Sequence, residues 1–215
     1  FHLRAARWSD GVPVTAQDFV FAWRRLLDPK TAAPYAYIMW VVKNGEAISA
    51  GKLPPAALGV SARDERTLVV TLGHPAPYLP ELLMHQTAYP IPRHAVLRYG
   101  NAWSRAEHYV SNGPYIVSEW IPNDHITLLR NPRFYDAAHV AIHTVRYFNT
   151  PDSQTAFVRF RAGELDTQDP YPAAQIDWIR AHMPGVLKSV AYLGIDYIAV
   201  NMHRKPFDDV RLREA

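Results

Sequence analysis

Eighteen prolines are spread over the 215 residues, against ten glycines, and where they fall constrains the fold more than any other feature. Proline fixes φ, lacks an N–H and pushes the residue before it out of the α region, so neither a helix nor a central strand runs through it. Uninterrupted elements are confined to the windows between prolines. The first opens at Thr15, which stands three residues before Asp18 as in a capping box; Phe19, Trp23 and Leu26 then recur at helical spacing. This predicts a helix from Ala16 to Leu27, stopped by Asp28 and Pro29. The apolar, aromatic stretch Tyr35 to Val42 predicts a second, largely buried helix.

Val60 and the run Thr67 to Leu72 flank Arg63, Asp64 and Glu65, the pattern of strand, turn, strand. Pro75, Pro77, Pro80, Pro90 and Pro92 leave room for a short helix around Glu81 to Met84 and another from Arg93 to Tyr99. Tyr115 to Trp120 and Ile126 to Arg130 enclose Pro122, Asn123 and Asp124, which predicts a second hairpin with turn chemistry at its tip. Thr144 to Asn149, Pro151 to Ala162 and Leu165 to Thr167 read as a β, α, β unit, with Gly163 ending the helix. A helix around Ala173 to His182 and strands at Val186 to Val190 and Ile195 to Asn201 complete the pass. Hairpins in one region and a crossover unit in another predict a mixed α/β chain with two sheets.

At both ends the pattern is cut inside an element. Phe1, Leu3 and Ala5 alternate with His2 and Arg4 like the second half of a strand, and Asp208 to Ala215 reads as a helix that has just begun, with Asp208 as its cap. An internal piece of a longer protein is expected, with any signal peptide outside it.

With 48% hydrophobic residues the chain can bury a core, which excludes a disordered tail. Twenty-three Lys and Arg against twenty Asp and Glu leave a formal charge of +3. So small a surplus gives no strong field for nucleic acid or anionic lipid. The absence of cysteine removes disulfides, thiolate metal sites and cysteine nucleophiles. No apolar run reaches the roughly 18 residues of a membrane-spanning helix.

Candidate catalytic groups have simpler structural explanations. His139 and His143 have the spacing of two ligands on one helix face, but Val140 and Ala141 stand where a zincin carries its Glu, and Thr144 and Val145 favour a strand start. Asp208 with Asp209, and Glu164 with Asp166, could form carboxylate pairs, but caps and turns account for them. Phosphate-binding and nucleophile-elbow motifs are absent. A metal-assisted hydrolase using some of the ten histidines, and a scaffold fragment without a small ligand, are the alternatives from other functional classes. The aromatic content, six Trp, twelve Tyr and eight Phe, is the more informative signal, with Tyr35, Tyr37 and Trp40 clustered. Tyrosine combines stacking area with a hydroxyl and suits adaptable binding surfaces.

Trp8-Ser9-Asp10-Gly11, Pro13 and Thr15-Ala16-Gln17-Asp18-Phe19-Val20 form the first of an ordered series of motifs. Asp28-Pro29-Lys30-Thr31-Ala32-Ala33-Pro34-Tyr35-Ala36, Asn112-Gly113-Pro114-Tyr115 and Arg130-Asn131-Pro132 with Tyr135-Asp136 follow. Gly163-Glu164-Leu165-Asp166, Asn201 and Pro206-Phe207-Asp208-Asp209-Val210-Arg211 complete it. The series resembles extracellular solute-binding protein family 5, and within it the oligopeptide-binding branch, over essentially the whole chain.

The resemblance implies a periplasmic-binding-protein-like fold of two lobes closing over a peptide. Residues 1–94 would be most of the small α/β domain that distinguishes the family, 95–193 part of lobe one, and 194–215 the crossing into lobe two, which would be mostly missing. It implies a non-catalytic receptor, without cofactor or metal, that captures oligopeptides for the membrane permease of an ABC importer, in the periplasm or lipid-anchored outside the cytoplasm. Such a receptor bonds the ligand backbone as an added strand and leaves side chains in hydrated pockets. Tyr35, Tyr192 and Tyr197 would stand beside the peptide, and Asp169 in a region of cleft contacts, although Gln168-Asp169-Pro170 departs from the family pattern. With one lobe mostly missing, these 215 residues alone would bind peptide weakly or not at all.

Overall fold

Thr15 opens the first long helix as its spacing predicts. In the computed structural model, which describes residues 1–191, 194 and 197–214, helix α1 covers Ala16–Leu27. The Asp18 carboxylate accepts hydrogen bonds from the Thr15 backbone N–H at 2.8 Å and its hydroxyl at 3.2 Å, closing the box. The chain divides into two compact units, Phe1–Asn149 and Thr150–Ala215.

In the first unit α1 lies over a two-stranded antiparallel sheet of β1 (Val60–Ala62) and β2 (Leu68–Val70), the expected first hairpin. The segment from Phe1 runs beside β2 through the bridge His2–Thr67 and the bond from Leu3 N–H to Arg66 O. Helix α2 (Gly45–Ser49), α3 (Leu79–Leu82) and α4 (Arg93–Tyr99) complete this part. Trp23, Leu27, Met39, Val42 and Ile48 fill the core, and the Trp23 indole donates to Ala88 O at 2.9 Å, which satisfies its one polar atom where water cannot reach. A second antiparallel sheet has the order β3 (Tyr115–Ile121), β4 (His125–Arg130), β5 (Thr144–Phe148), with a bulge between Val117 and Glu119. At the β3–β4 turn Asp124 N–H donates to Ile121 O, with Pro122 and then Asn123 at φ +64° between them. That is the signature of a type II turn.

The second unit holds α5 (Ser153–Arg161), α6 (Ile176–His182) and α7 (Val210–Glu214). Asp152 caps α5 by accepting from Thr155 N–H at 2.7 Å, so the helix starts after Pro151 rather than at it. Asp209, not Asp208, accepts from Arg211 N–H at the start of α7.

Four expectations are corrected. Tyr35 to Val42 is not a buried α-helix: Ala36–Val41 is 3-10, with Met39 and Val41 inward and Tyr37 and Trp40 half exposed. In a 3-10 turn side chains three apart eclipse, so Tyr37 and Trp40 share a face of their own. Leu165 to Thr167 is not a strand, which removes the β, α, β unit. Val186 to Val190 is not one either, nor is Tyr197 to Asn201; Ile195 lies outside the described residues. A strand exists only where a neighbour supplies the ladder, and no described residue pairs with these segments.

Candidate functional site

Two features of the first unit combine polar chemistry with defined geometry: a ledge of exposed aromatic rings and a buried hydrogen-bonded clamp. The ledge begins where the chain leaves the 3-10 turn. Asn44 takes φ +68° and its amide donates to Ala57 O at 2.7 Å. Gly45 follows so close to the preceding turn that a Cβ would come within 2.7 Å of Met39 O. Only glycine lets α2 start here, and α2 in turn carries Ser49, whose hydroxyl accepts from the Trp40 indole at 3.0 Å.

Tyr35, Tyr37 and Trp40 then form a chain of rings, with centroids 6.0 Å apart for the first pair and 6.5 Å for the second, the latter edge to face. The His85 ring lies 5.2 Å from Tyr35 and is held by Thr87, whose N–H donates to Nδ1. Beside the ledge an open cavity of about 630 Å³ is lined by Tyr37, Ile38, Trp40, Asn44, Glu46, His74, Tyr78 and Leu82. Ring faces, hydroxyls and one carboxylate can stack on and hydrogen-bond a ligand with mixed apolar and polar groups. Among the described residues no three His, Asp or Glu side chains converge as metal ligands.

Of the residues singled out from the sequence, Tyr35 is half exposed on this ledge. Asp169 is an exposed residue of the second unit, in a loop held by the Gln168 amide, which donates to Ser153 O at 2.7 Å and Pro170 O at 3.1 Å. Tyr197 is 81% exposed in the same unit. Tyr192 lies outside the described residues. Sequence reasoning missed His85, His74, Tyr78 and Glu46. Each stands alone in a polar or proline-rich stretch, and only tertiary packing brings it to the ledge. His139 pairs with Asp136, which raises its pKa by hydrogen bond and charge, and Glu164 accepts from Arg159 at 2.9 Å.

The clamp is made of the motifs themselves. Buried Asp18 also accepts from the Trp8 indole at 3.4 Å and from Arg93 N–H at 3.3 Å, so one carboxylate joins the first motif to α1 and α4. Ser9 N–H donates to Ser111 O at 2.7 Å, Ser111 N–H returns to Ser9 Oγ at 3.2 Å, and the Arg133 guanidinium donates to Ser9 O at 2.9 Å. Fully buried Asn131 donates to Gly113 O and accepts from Arg133 N–H. His94 meets Asp10 at 2.6 Å. Trp8, Ser9, Asp10, Asp18 and Asn131, all residues that carry the resemblance, thus hold segments together, whereas Tyr35, from the same series, is half exposed on the ledge.

The family model described as "Bacterial extracellular solute-binding proteins, family 5 Middle" matches residues 1–215. All of the chain aligns with 41% of the probable deoxycholate-binding periplasmic protein YgiS of Escherichia coli at 42% identity. It likewise aligns with 40% of the periplasmic oligopeptide-binding protein OppA of Salmonella typhimurium at 41% identity. The structure superposes over 100% of its length on 42% of Haemophilus influenzae OppA in complex with RPPGFSPFR, with a TM-score of 0.94 and 40% identity. The chain spans about 40% of the length of the curated relatives it matches. It belongs to the bacterial extracellular solute-binding proteins of family 5.

Proposed function

We propose that the protein is the peptide-capturing receptor of an ABC importer, working outside the cytoplasm and handing oligopeptides to a membrane permease without chemical change. The observation that carries this reading is the full-length superposition on a peptide-bound OppA at 40% identity. On this reading residues 1–94 supply most of the small domain, 95–193 part of lobe one, and 194–215 the crossing to lobe two. Tyr35, Tyr192, Tyr197 and Asp169 face the ligand. Peptide favours the closed state by touching both lobes, the differential affinity on which any such closure depends.

Native mass spectrometry tests this on a gently purified longer form of the protein that carries both lobes, since the 215 residues alone are expected to bind peptide weakly or not at all. Heterogeneous adducts of peptide mass, lost on adding an excess of one tight-binding peptide, are the expected result. Tyr35→Ala should weaken that peptide about ten-fold, the effect of losing one well-placed ring. A single adduct of bile-acid mass would instead favour a second reading, supported by the 42% identity to a relative named for deoxycholate and by the flat apolar faces of the ledge. A stoichiometric metal adduct would return attention to the histidines.

A further inference from the structure

On the first unit, away from the aromatic ledge, a cavity of about 350 Å³ is lined by Arg4, Arg7, Arg66 and Arg133 together with Glu65 and Tyr135. The four arginines come from separate parts of the chain. Arg4 follows the segment that runs beside β2, Arg7 bridges Pro13, Arg66 lies on the β1–β2 turn, and Arg133 on the loop after β4. We propose that this cavity is a binding site for a multiply charged oxyanion of the phosphate class.

The first argument is charge. Four arginines and one glutamate line this concavity in a chain whose formal charge is only +3, so positive charge is locally in excess here. Among the described residues, none of the four makes an ion pair with Asp or Glu within 4.0 Å. Four like charges offset by the single carboxylate of Glu65 still repel, and an anion between them reduces that cost.

The second argument is donor geometry. Arg66 Nε donates to Leu3 O at 3.1 Å, Arg7 to Gly11 O at 2.8 Å, and Arg133 to Ser9 O at 2.9 Å. Each bond uses one of five N–H donors, fixes the side chain and leaves the rest of the fork free. Arg7 and Arg133 meet at the same turn, for Arg133 Nε lies 3.6 Å from where a Cβ on Gly11 would stand. Arg4 stacks on Tyr135 with its guanidinium carbon 4.2 Å from the ring centroid, which orients the plane while its edges stay open. A monocarboxylate presents two oxygens in one plane; a tetrahedral phosphate presents them in several directions and suits forks arriving from four segments.

The shared chemistry has two sources, a soluble phosphate and a lipid phosphate headgroup, and the test separates them. Pyrophosphate is titrated calorimetrically into the intact protein at low ionic strength, with acetate at equal ionic strength as control. Cosedimentation with phosphatidylglycerol vesicles forms the other arm. The expected result is pyrophosphate binding with Kd on the order of 0.1–1 mM, weakening with added NaCl. Arg4→Gln/Arg66→Gln should reduce it ten-fold or more, while Arg4→Lys, which keeps charge but loses the fork, should fall between. Vesicle binding lost in the same double variant, without pyrophosphate binding, would assign the headgroup as the source. No binding in either arm, or binding unaffected by the double variant, would overturn the proposal.

Discussion

The clamp around Trp8 and the segment after α6 are opposite in construction. In the first, each buried polar group has its partner: Asp18 collects four donors, and Asn131, with no exposed surface, is bonded through both ends of its amide. In the second, apolar side chains stand in the open, Val190 at 84% and Ile198 at 92% exposure, on backbone with no described ladder partner. The difference shows that a motif can be highly diagnostic while serving support rather than contact. A side chain that satisfies three segments at once tolerates no substitute, whereas a surface that must accept varied ligands needs area more than identity.

That contrast is most easily broken at its strongest point. Asp18→Ala leaves the buried Trp8 indole and the part-buried Thr15 and Arg93 N–H groups without their shared acceptor, and about 3 kcal/mol of stability should be lost. Urea unfolding with an unchanged slope would report it; a loss below about 1 kcal/mol would mean that the network is not cooperative. Asn131→Ala should cost about 2 kcal/mol by the same reasoning. Ser9→Ala, which removes only a hydroxyl acceptor at 3.2 Å, should cost about 1 kcal/mol.

A smaller effect is expected at the tip of the β3–β4 hairpin. His125 bonds Glu119 through Nε2 and Asp124 through Nδ1, each at 2.9 Å, and these two hydrogen bonds, Glu119's the larger, raise its pKa above the ordinary 6.5. Because the folded value is the higher, the contribution to stability is complete below 6.5 and disappears as pH rises through the raised value. Histidine NMR titration should show the pKa falling in Glu119→Gln and falling less in Asp124→Asn; an equal or reversed order would contradict the assignment of Glu119 as main partner.

Legibility followed the range of the interactions. Helix α1 and α4 were readable to the residue because capping, prolines and apolar spacing are local, and the β3–β4 hairpin because Pro122 and Asn123 specify their turn. Tyr35 to Val42 misled because an apolar run states burial without stating which face: Met39 and Val41 turn inward, while its three rings, Tyr35, Tyr37 and Trp40, serve the ledge. The bonds of the clamp join residues as far apart as Ser9 and Arg133, and no spacing rule reaches across them. Val186 to Val190 and Tyr197 to Asn201 have strand composition, but composition cannot provide the partner strand. The aromatic cluster was visible, whereas His85 and the arginines around the second cavity were not, because each comes from a different segment.

The smallest predicted effect sharpens the comparison most. Val190→Ser and Ile198→Ser remove apolar groups that already meet water, so in the 215-residue chain each should change stability by less than about 0.5 kcal/mol. Ala156→Ser, at a buried position of α5 in the same unit, is the control and should cost more, because it introduces a hydroxyl into the packing around Phe157. Repeating the exposed pair in a longer form of the protein separates two meanings of exposure. A cost of 1–2 kcal/mol there, the value of burying such side chains, would show that the apolar pattern after α6 encodes contacts with residues beyond these 215. An unchanged, near-zero cost would make those side chains free surface.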